Sequence, residues 1–387
     1  MAIAFLGSLS TNHTWIAAGA IAAVALLAAV EVIRTGQAPR EAWLLLLPFV
    51  YWAGSFILTG ESLRLFFSME FLRFDGAMYV SMIPIAALAA LPLDRRRLAA
   101  VLLLYLAFQA AVAGVGGVGA LTGWHSALYR PAELVDNQPT FFGLFKAHNA
   151  TASVYVLLTL GAFAWALRPE NSPKLRRVLL VLAAFLALGC ILARSRGAFL
   201  ALGVSLAFVV FRATRQGMPK GVKIAAVVGL IGVIAVGSIV MVPRFLKARE
   251  QGGDKFRREE WSGALDHFKR SPVVGIGFGR YNDLQHEYTS IGIGEVATKA
   301  VVWNDDRHAH NSYLHWLAEG GVLGLGVMVA FWILVARGLK GDDPLRDWIL
   351  TGIVGMAVLS LTEHYAGGGV FLAHLAFLIG VHQSRGE

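Results

Sequence analysis

The chain alternates long apolar blocks with short polar connections, and none of the blocks shows the every-second-residue rhythm of a barrel strand. Crossing hydrocarbon takes a helix of roughly 20 mostly apolar residues, because only a helix or a closed barrel satisfies every backbone group there. The pattern predicts spans at 14–33, 41–59, 76–93, 98–118, 148–167, 178–194, 197–211, 224–242, 316–336, 347–362 and 369–382. The third is the weakest, since Pro84 and Pro92 fall in it, and the seventh is short. The expected fold is therefore all-α: a polytopic membrane protein of about eleven transmembrane helices, forming a single integral membrane domain over residues 1–387.

Composition agrees, at 56% hydrophobic and 15% charged residues. The net charge of +9 has to be located before it is interpreted, because nucleic acid, anionic lipid and membrane orientation all draw basic residues. Half of the 34 Lys and Arg side chains fall in one set of alternate loops and the C-terminal tail: Arg34 and Arg40; Arg95 to Arg97; Arg168, Lys174, Arg176 and Arg177; Arg212, Arg215, Lys220 and Lys223; Arg337, Lys340 and Arg346; and Arg385. The short loops opposite hold only Arg64, Arg73, Arg130, Lys146, Arg194 and Arg196. The charge is thus an orientation signal, with the N-terminus outside and the C-terminus in the cytoplasm, and it points to membrane lipids rather than nucleic acid as the partner. The first residues lack a basic leader and the block from Trp15 to Ile33 is long enough to stay in the bilayer, so the first helix is expected to be retained. Cys190, the only cysteine, falls within a span and carries no redox information.

The basic loops are short and hold no GxxxxGK[ST], which removes ATP-driven chemistry from that side. The opposite face is elaborated, with a medium loop at 119–147 and a long one at 243–315, between the eighth and ninth spans. Within the long loop, Lys255 to Arg270 predicts an amphipathic helix whose Trp261, Leu265 and Phe268 form one apolar stripe, to lie on the membrane or the bundle. Ser271-Pro272 stops it, and Gly275 to Gly279 (GIGFG) predicts a flexible turn. Charge at mid-span is scarce: Glu31, Glu319, Glu363 and His364 lie near span ends and only His374 lies deep. That argues against an ion-coupled transporter, and His374 reads as a hydrogen-bonded packing residue.

Titratable groups gather on the elaborated face. Arg194 and Arg196, in ARSRGAFL, occupy a tight connection between two spans; their guanidinium groups either snorkel to headgroups or, at Arg196 before a glycine and a helix start, present a bidentate anion site. Arg257 and Arg258 precede Trp261 on the amphipathic helix and either pair with neighbouring carboxylates or face the same anion. His308, His310 and His315 cluster before the ninth span in HAHNSYLHWLAEGGVLG. No metal is expected there, because neither H-E-x-x-H nor C-x-x-C occurs; an imidazole in this place suits a general base. Asn311 is positioned to cap the ninth span, and glycines 320, 321, 324 and 326 below it permit close packing. Glu319 reads either as a hydrogen-bond partner of backbone, Arg or His, or as a second catalytic carboxylate. Lys146, His148 and Asn149, in FFGLFKAHNATAS, sit at the mouth of the fifth span and face the same side.

Taken in order, FKAHNATAS, RSRGAFL, the Arg257 to Trp261 helix followed by SPVVGIGFGRY, and HAHNSYLHWLAEGGVLGL resemble the O-antigen ligase and polymerase superfamily of bacterial envelopes. The resemblance covers roughly residues 140 to 335. It implies a many-helix fold with a large periplasmic loop, and a metal-independent transfer, without cofactor, of a glycan from undecaprenyl pyrophosphate to an acceptor hydroxyl at the periplasmic face of the inner membrane. It places the family's essential histidine on His310 and its arginines on Arg196 and Arg257, with Arg258 the adjacent alternative; Arg194, Arg280, Asn149, His308, Asn311 and Glu319 are candidates for supporting roles. An O-antigen ligase acting on the lipid A core is the expected activity, a polymerase extending a second lipid-linked repeat is its nearest rival, and a permease or flippase for an anionic solute the rival from another class.

Overall fold

The computed structural model describes residues 14–59, 75–124, 128–131, 139–145, 147–215, 220–250, 253–281, 309–363 and 369–384. They form twelve α-helices and one two-stranded ribbon. In chain order the helices are α1 (Thr14–Thr35), α2 (Arg40–Leu58), α3 (Asp75–Ala90), α4 (Arg95–Thr122), α5 (His148–Ala166), α6 (Pro173–Leu192), α7 (Arg196–Arg215), α8 (Lys220–Glu250), α9 (Gly253–Arg270), α10 (Ser312–Gly338), α11 (Pro344–Leu359) and α12 (Gly369–His382). Strands β1 (Tyr129–Pro131) and β2 (Pro139–Phe141) pair antiparallel between α4 and α5. A helix stands at each of the eleven predicted spans, and six of them are long and apolar enough to cross a membrane by themselves. The protein is an all-α polytopic membrane protein. The seventh helix is longer than its apolar block suggests, running on to Arg215, and α8 continues through Pro243 to Glu250, into the segment expected as loop.

The bundle is organised around α5, which is apolar on every side and buried along nearly its whole length. In hydrocarbon the hydrophobic effect does not favour helix association, so close packing and hydrogen bonds have to hold neighbours together. Both are visible. A Cβ on Gly161 would fall 1.9 Å from the Trp348 ring, and one on Gly189 2.6 Å from Tyr155, so glycine at these sites is what lets α11 and α6 approach. Trp348 Nε1 then donates to Leu157 O at 2.8 Å across the α5–α11 contact.

A chain of polar side chains ties α5, α4 and α12 at depth. The Tyr155 hydroxyl donates to Gln109 O (3.0 Å), Gln109 Nε2 donates to the Tyr105 hydroxyl (3.2 Å), and Tyr105 lies 2.6 Å from His374 Nε2. His374 Nδ1 is 2.7 Å from Val370 O, an atom that can only accept. Nδ1 therefore carries the proton and Nε2 receives the tyrosine hydroxyl. His374 is thus a fully hydrogen-bonded packing residue.

At the basic end of the bundle, Arg168 is 7% exposed and Asp347 5%. Asp347 holds Arg168 at 2.9 Å and Arg212 at 2.6 Å, while Arg168 also reaches Glu170 and Asp342. Two of the charges that orient the chain in sequence terms are therefore also an internal clasp between the end of α5, the end of α7 and the start of α11.

Candidate functional site

The site is built where the N-terminus of α10 meets the C-terminal end of α11. Asn311 caps α10 as its sequence position predicts, its Oδ1 accepting from Tyr313 N (3.0 Å) and Leu314 N (3.1 Å). The same side chain reaches across to donate to Leu361 O at 3.2 Å. Ser312 completes the seam: its N–H donates to Ser360 O at 2.8 Å and its hydroxyl to Glu363 O at 3.0 Å. Residues 360–363 are thereby fixed against the residue that precedes the cap, His310.

His310 sits in the left-handed region, at φ 46°, where a β-carbon is disfavoured. The turn aims its ring at Glu363, with Nδ1 3.7 Å from Oε2. Arg257 reaches the other carboxylate oxygen from α9 at 3.4 Å, and Asn149 Nδ2 donates to it at 2.9 Å from the start of α5. Glu363 therefore gathers three of the residues singled out by sequence, from α5, from α9 and from the turn before α10. Its own significance is invisible in the sequence, where it is one more carboxylate at a span end; only the fold places it at the centre.

Arg196 opens α7 beside this point. The next residue, Gly197, packs so closely on Thr362 that a Cβ would lie 2.0 Å from its hydroxyl oxygen. Arg194, also in the left-handed region at φ 56°, forms the turn before it. Both arginines are half-buried. The two candidates on α9 separate: Arg257 is at ion-pair distance from Glu363, whereas Arg258 points to the exposed face. Arg280 is half-buried at the end of the GIGFG segment, its N–H donating to Gly277 O at 3.4 Å. His308 and Lys146 lie outside the described residues.

Below the seam, Glu319 is 1% exposed and serves packing geometry. Its Oε1 accepts from Tyr281 N at 3.1 Å and its Oε2 lies 3.2 Å from His315 Nε2. Tyr281 in turn donates its hydroxyl to Glu260 O on α9 at 2.8 Å, and so sets the rotation of the helix that carries Arg257 one turn earlier. The face of α9 turned to the bundle is Glu260, Ala264 and His267, all buried, while Leu265 of the expected apolar stripe remains 42% exposed. Leu265 of the stripe stays outside the bundle, and the contacts of Tyr281 with Glu260 and His267 mark the face that docks.

The GIGFG segment is buried rather than free. At Gly321 (φ 62°, ψ −165°) α10 breaks, which releases backbone groups inside the bundle. Each described partner comes from the segment after α9 or from α2: Ile276 N and Gly277 N donate to Ala318 O and Glu319 O, Val322 N and Leu323 N donate to Pro272 O and Val273 O, and the Tyr51 hydroxyl donates to Gly320 O. Irregular backbone at such a place is tolerated only where protein satisfies it. Glycines 320 and 324 admit Phe278 and Tyr51, whereas Gly326 faces open space. A Cβ at Gly321 would fall 2.3 Å from Val273 O. Gly321→Ala is expected to undock the segment and lower stability by about 2–4 kcal/mol, checked by thermal unfolding in detergent; an unchanged melting temperature would contradict this account of the break.

The arrangement offers guanidinium groups able to hold an anion, an imidazole oriented by a carboxylate, and an amide, all at the mouth of the bundle. None of the curated proteins matches the chain. Residues 179–329 match the family model described as O-antigen ligase, a stretch that includes Arg196, Arg257, Arg258, Arg280, His310 and Glu319 and leaves Asn149 and Glu363 on either side. Over residues 179–329 the chain is therefore similar to the O-antigen ligase family.

Proposed function

We propose that the chain is a glycosyltransferase of the inner membrane that moves a glycan from undecaprenyl pyrophosphate to a sugar hydroxyl of the lipid A core, at the periplasmic face, with the N-terminus periplasmic and the C-terminus cytoplasmic. The observation that carries this reading is the convergence of His310, Arg257 and Asn149 on Glu363 beside the start of α7. The acceptor oxygen attacks the anomeric carbon, its proton passes to His310, and the bond from that carbon to the pyrophosphate oxygen breaks, the electron pair leaving with undecaprenyl pyrophosphate. Arg196 and Arg257 stabilise the charge that develops on the leaving group, a task for which fixed guanidinium forks are suited without a metal ion. Glu363 faces Nδ1 and so leaves Nε2 for the acceptor proton. Arg194, Arg280 and Arg258 add positive potential around the donor, and Asn149 holds Glu363 in place.

A single displacement of this kind inverts the anomeric centre. Glu319, buried and engaged by Tyr281 and His315, is not disposed to act as a nucleophile, so retention would point to Glu363 as a glycosyl carrier instead. The decisive experiment supplies purified protein with undecaprenyl-pyrophosphate glycan and lipid A core, and determines the product and its anomeric configuration. Ligated core with inverted linkage is expected; longer chains on the carrier would make the protein a polymerase that uses the same site, and no covalent change would favour a permease. In the same assay Arg196→Ala is expected to lower turnover by about 10²–10³-fold with the fold intact. Near-normal transfer by that variant would remove Arg196 from the site.

A further inference from the structure

At the opposite end of the bundle from the site, a cleft of about 390 Å³ opens between α1, the α3–α4 connection and α12. Its wall is apolar, formed by Val24, Leu88, Val101, Phe377 and Val381, and its mouth carries Asp94 and Arg97. On α12, Phe377 lies one turn, about 6 Å, deeper than Val381, so the cleft runs from headgroup level into the hydrocarbon. Apolar walls offer a water none of the several partners it needs, which leaves a hydrocarbon chain as the occupant. The mouth then selects the headgroup. Asp94 is committed locally: Oδ1 accepts from Arg96 N (2.9 Å) and Arg97 N (3.2 Å), and Oδ2 meets Arg97 Nε at 3.2 Å. Against this one carboxylate stand Arg97 in the lining and the adjacent, exposed Arg96, so the balance around the mouth is positive.

We propose that this cleft binds one anionic phospholipid, an acyl chain lying along Val24, Leu88 and Phe377 and the phosphate meeting Arg96 and Arg97. The geometry resembles the general case of basic pockets between transmembrane helices that take acidic headgroups. It is independent of the glycan-transfer reading, since no residue of the cleft belongs to that site.

Native mass spectrometry of the full chain, released from detergent after incubation with phosphatidylglycerol or phosphatidylcholine of matched acyl chains, tests it. The wild type is expected to retain one phosphatidylglycerol with about fivefold or greater preference. Arg96→Gln with Arg97→Gln is expected to abolish the preference while melting and transfer activity stay unchanged, and Val381→Trp, which fills the cleft, to reduce retention of both lipids. Glycerol 3-phosphate in excess is expected not to displace the bound lipid. Equal retention of the two lipids by the wild type, a preference that survives the double substitution, or displacement by the free phosphate each overturn the proposal; the wild-type comparison decides even if a variant fails to fold.

Discussion

His310→Ala is expected to reduce glycan transfer by about 10²–10⁴-fold, the range in which a positioned general base contributes. On the proposed mechanism the loss should fall on turnover rather than on donor binding, because Arg196 and Arg257, the residues proposed to meet the pyrophosphate, are untouched. Glu363→Gln keeps the shape and the Asn149 contact but removes the charge that orients the imidazole and pairs with Arg257; it is expected to lower turnover at least about tenfold, since an unoriented base is a poorer one. Backbone conformation supplies an unusual control. At φ 46° a glycine is more comfortable than a histidine by roughly 1–2 kcal/mol, so His310→Gly should be inactive yet melt at or above the wild-type temperature. A glycine variant that is both active and stable would show that His310 is only a turn residue, and a variant that unfolds would show that its ring is structural.

Asp347→Ala is expected to have the largest effect on stability, about 3–5 kcal/mol, because it leaves Arg168 and Arg212 without the carboxylate they share in a place water hardly reaches. Glu170 and Asp342 are 53% and 74% exposed and replace little of that interaction. Replacing Arg168 by Met together with Asp347 by Leu should be milder than Asp347→Ala alone, since a buried pair removed whole leaves less uncompensated charge than one removed by half. Thermal unfolding of the three variants in one detergent measures this, and a loss below about 0.5 kcal/mol for Asp347→Ala would show that the clasp is solvated.

The helices were legible in sequence because a span has to be apolar over its whole length, and that signal needs no tertiary information. Asn311 as a cap was legible for a similar reason: capping is local. The docking face of α9 was less so. Trp261, Leu265 and Phe268 mark a true apolar stripe, but beside a bilayer an apolar face has somewhere else to go, so the stripe alone does not say which side meets protein. Glu260 and His267 face inward because Tyr281 meets them there, a partner 14 or more residues away whose position depends on the break at Gly321. Glu363 was not legible as a hub for a comparable reason. Nothing in its neighbourhood marks it, and its partners are separated from it by 53 residues at His310, 106 at Arg257 and 214 at Asn149. Sequence could nominate the residues with chemical character; the seam between α10 and α11 was needed to show which of them meet.

The side-chain chain through Tyr155, Gln109, Tyr105 and His374 has a consequence for energetics. Every donor along it points the same way, from the Tyr155 hydroxyl on α5 to the carbonyl of Val370 on α12, which can only accept. Truncating any one member leaves its neighbour's donor or acceptor unmatched where water does not reach, so α4, α5 and α12 are held in one relative rotation by the four side chains together rather than by any single pair.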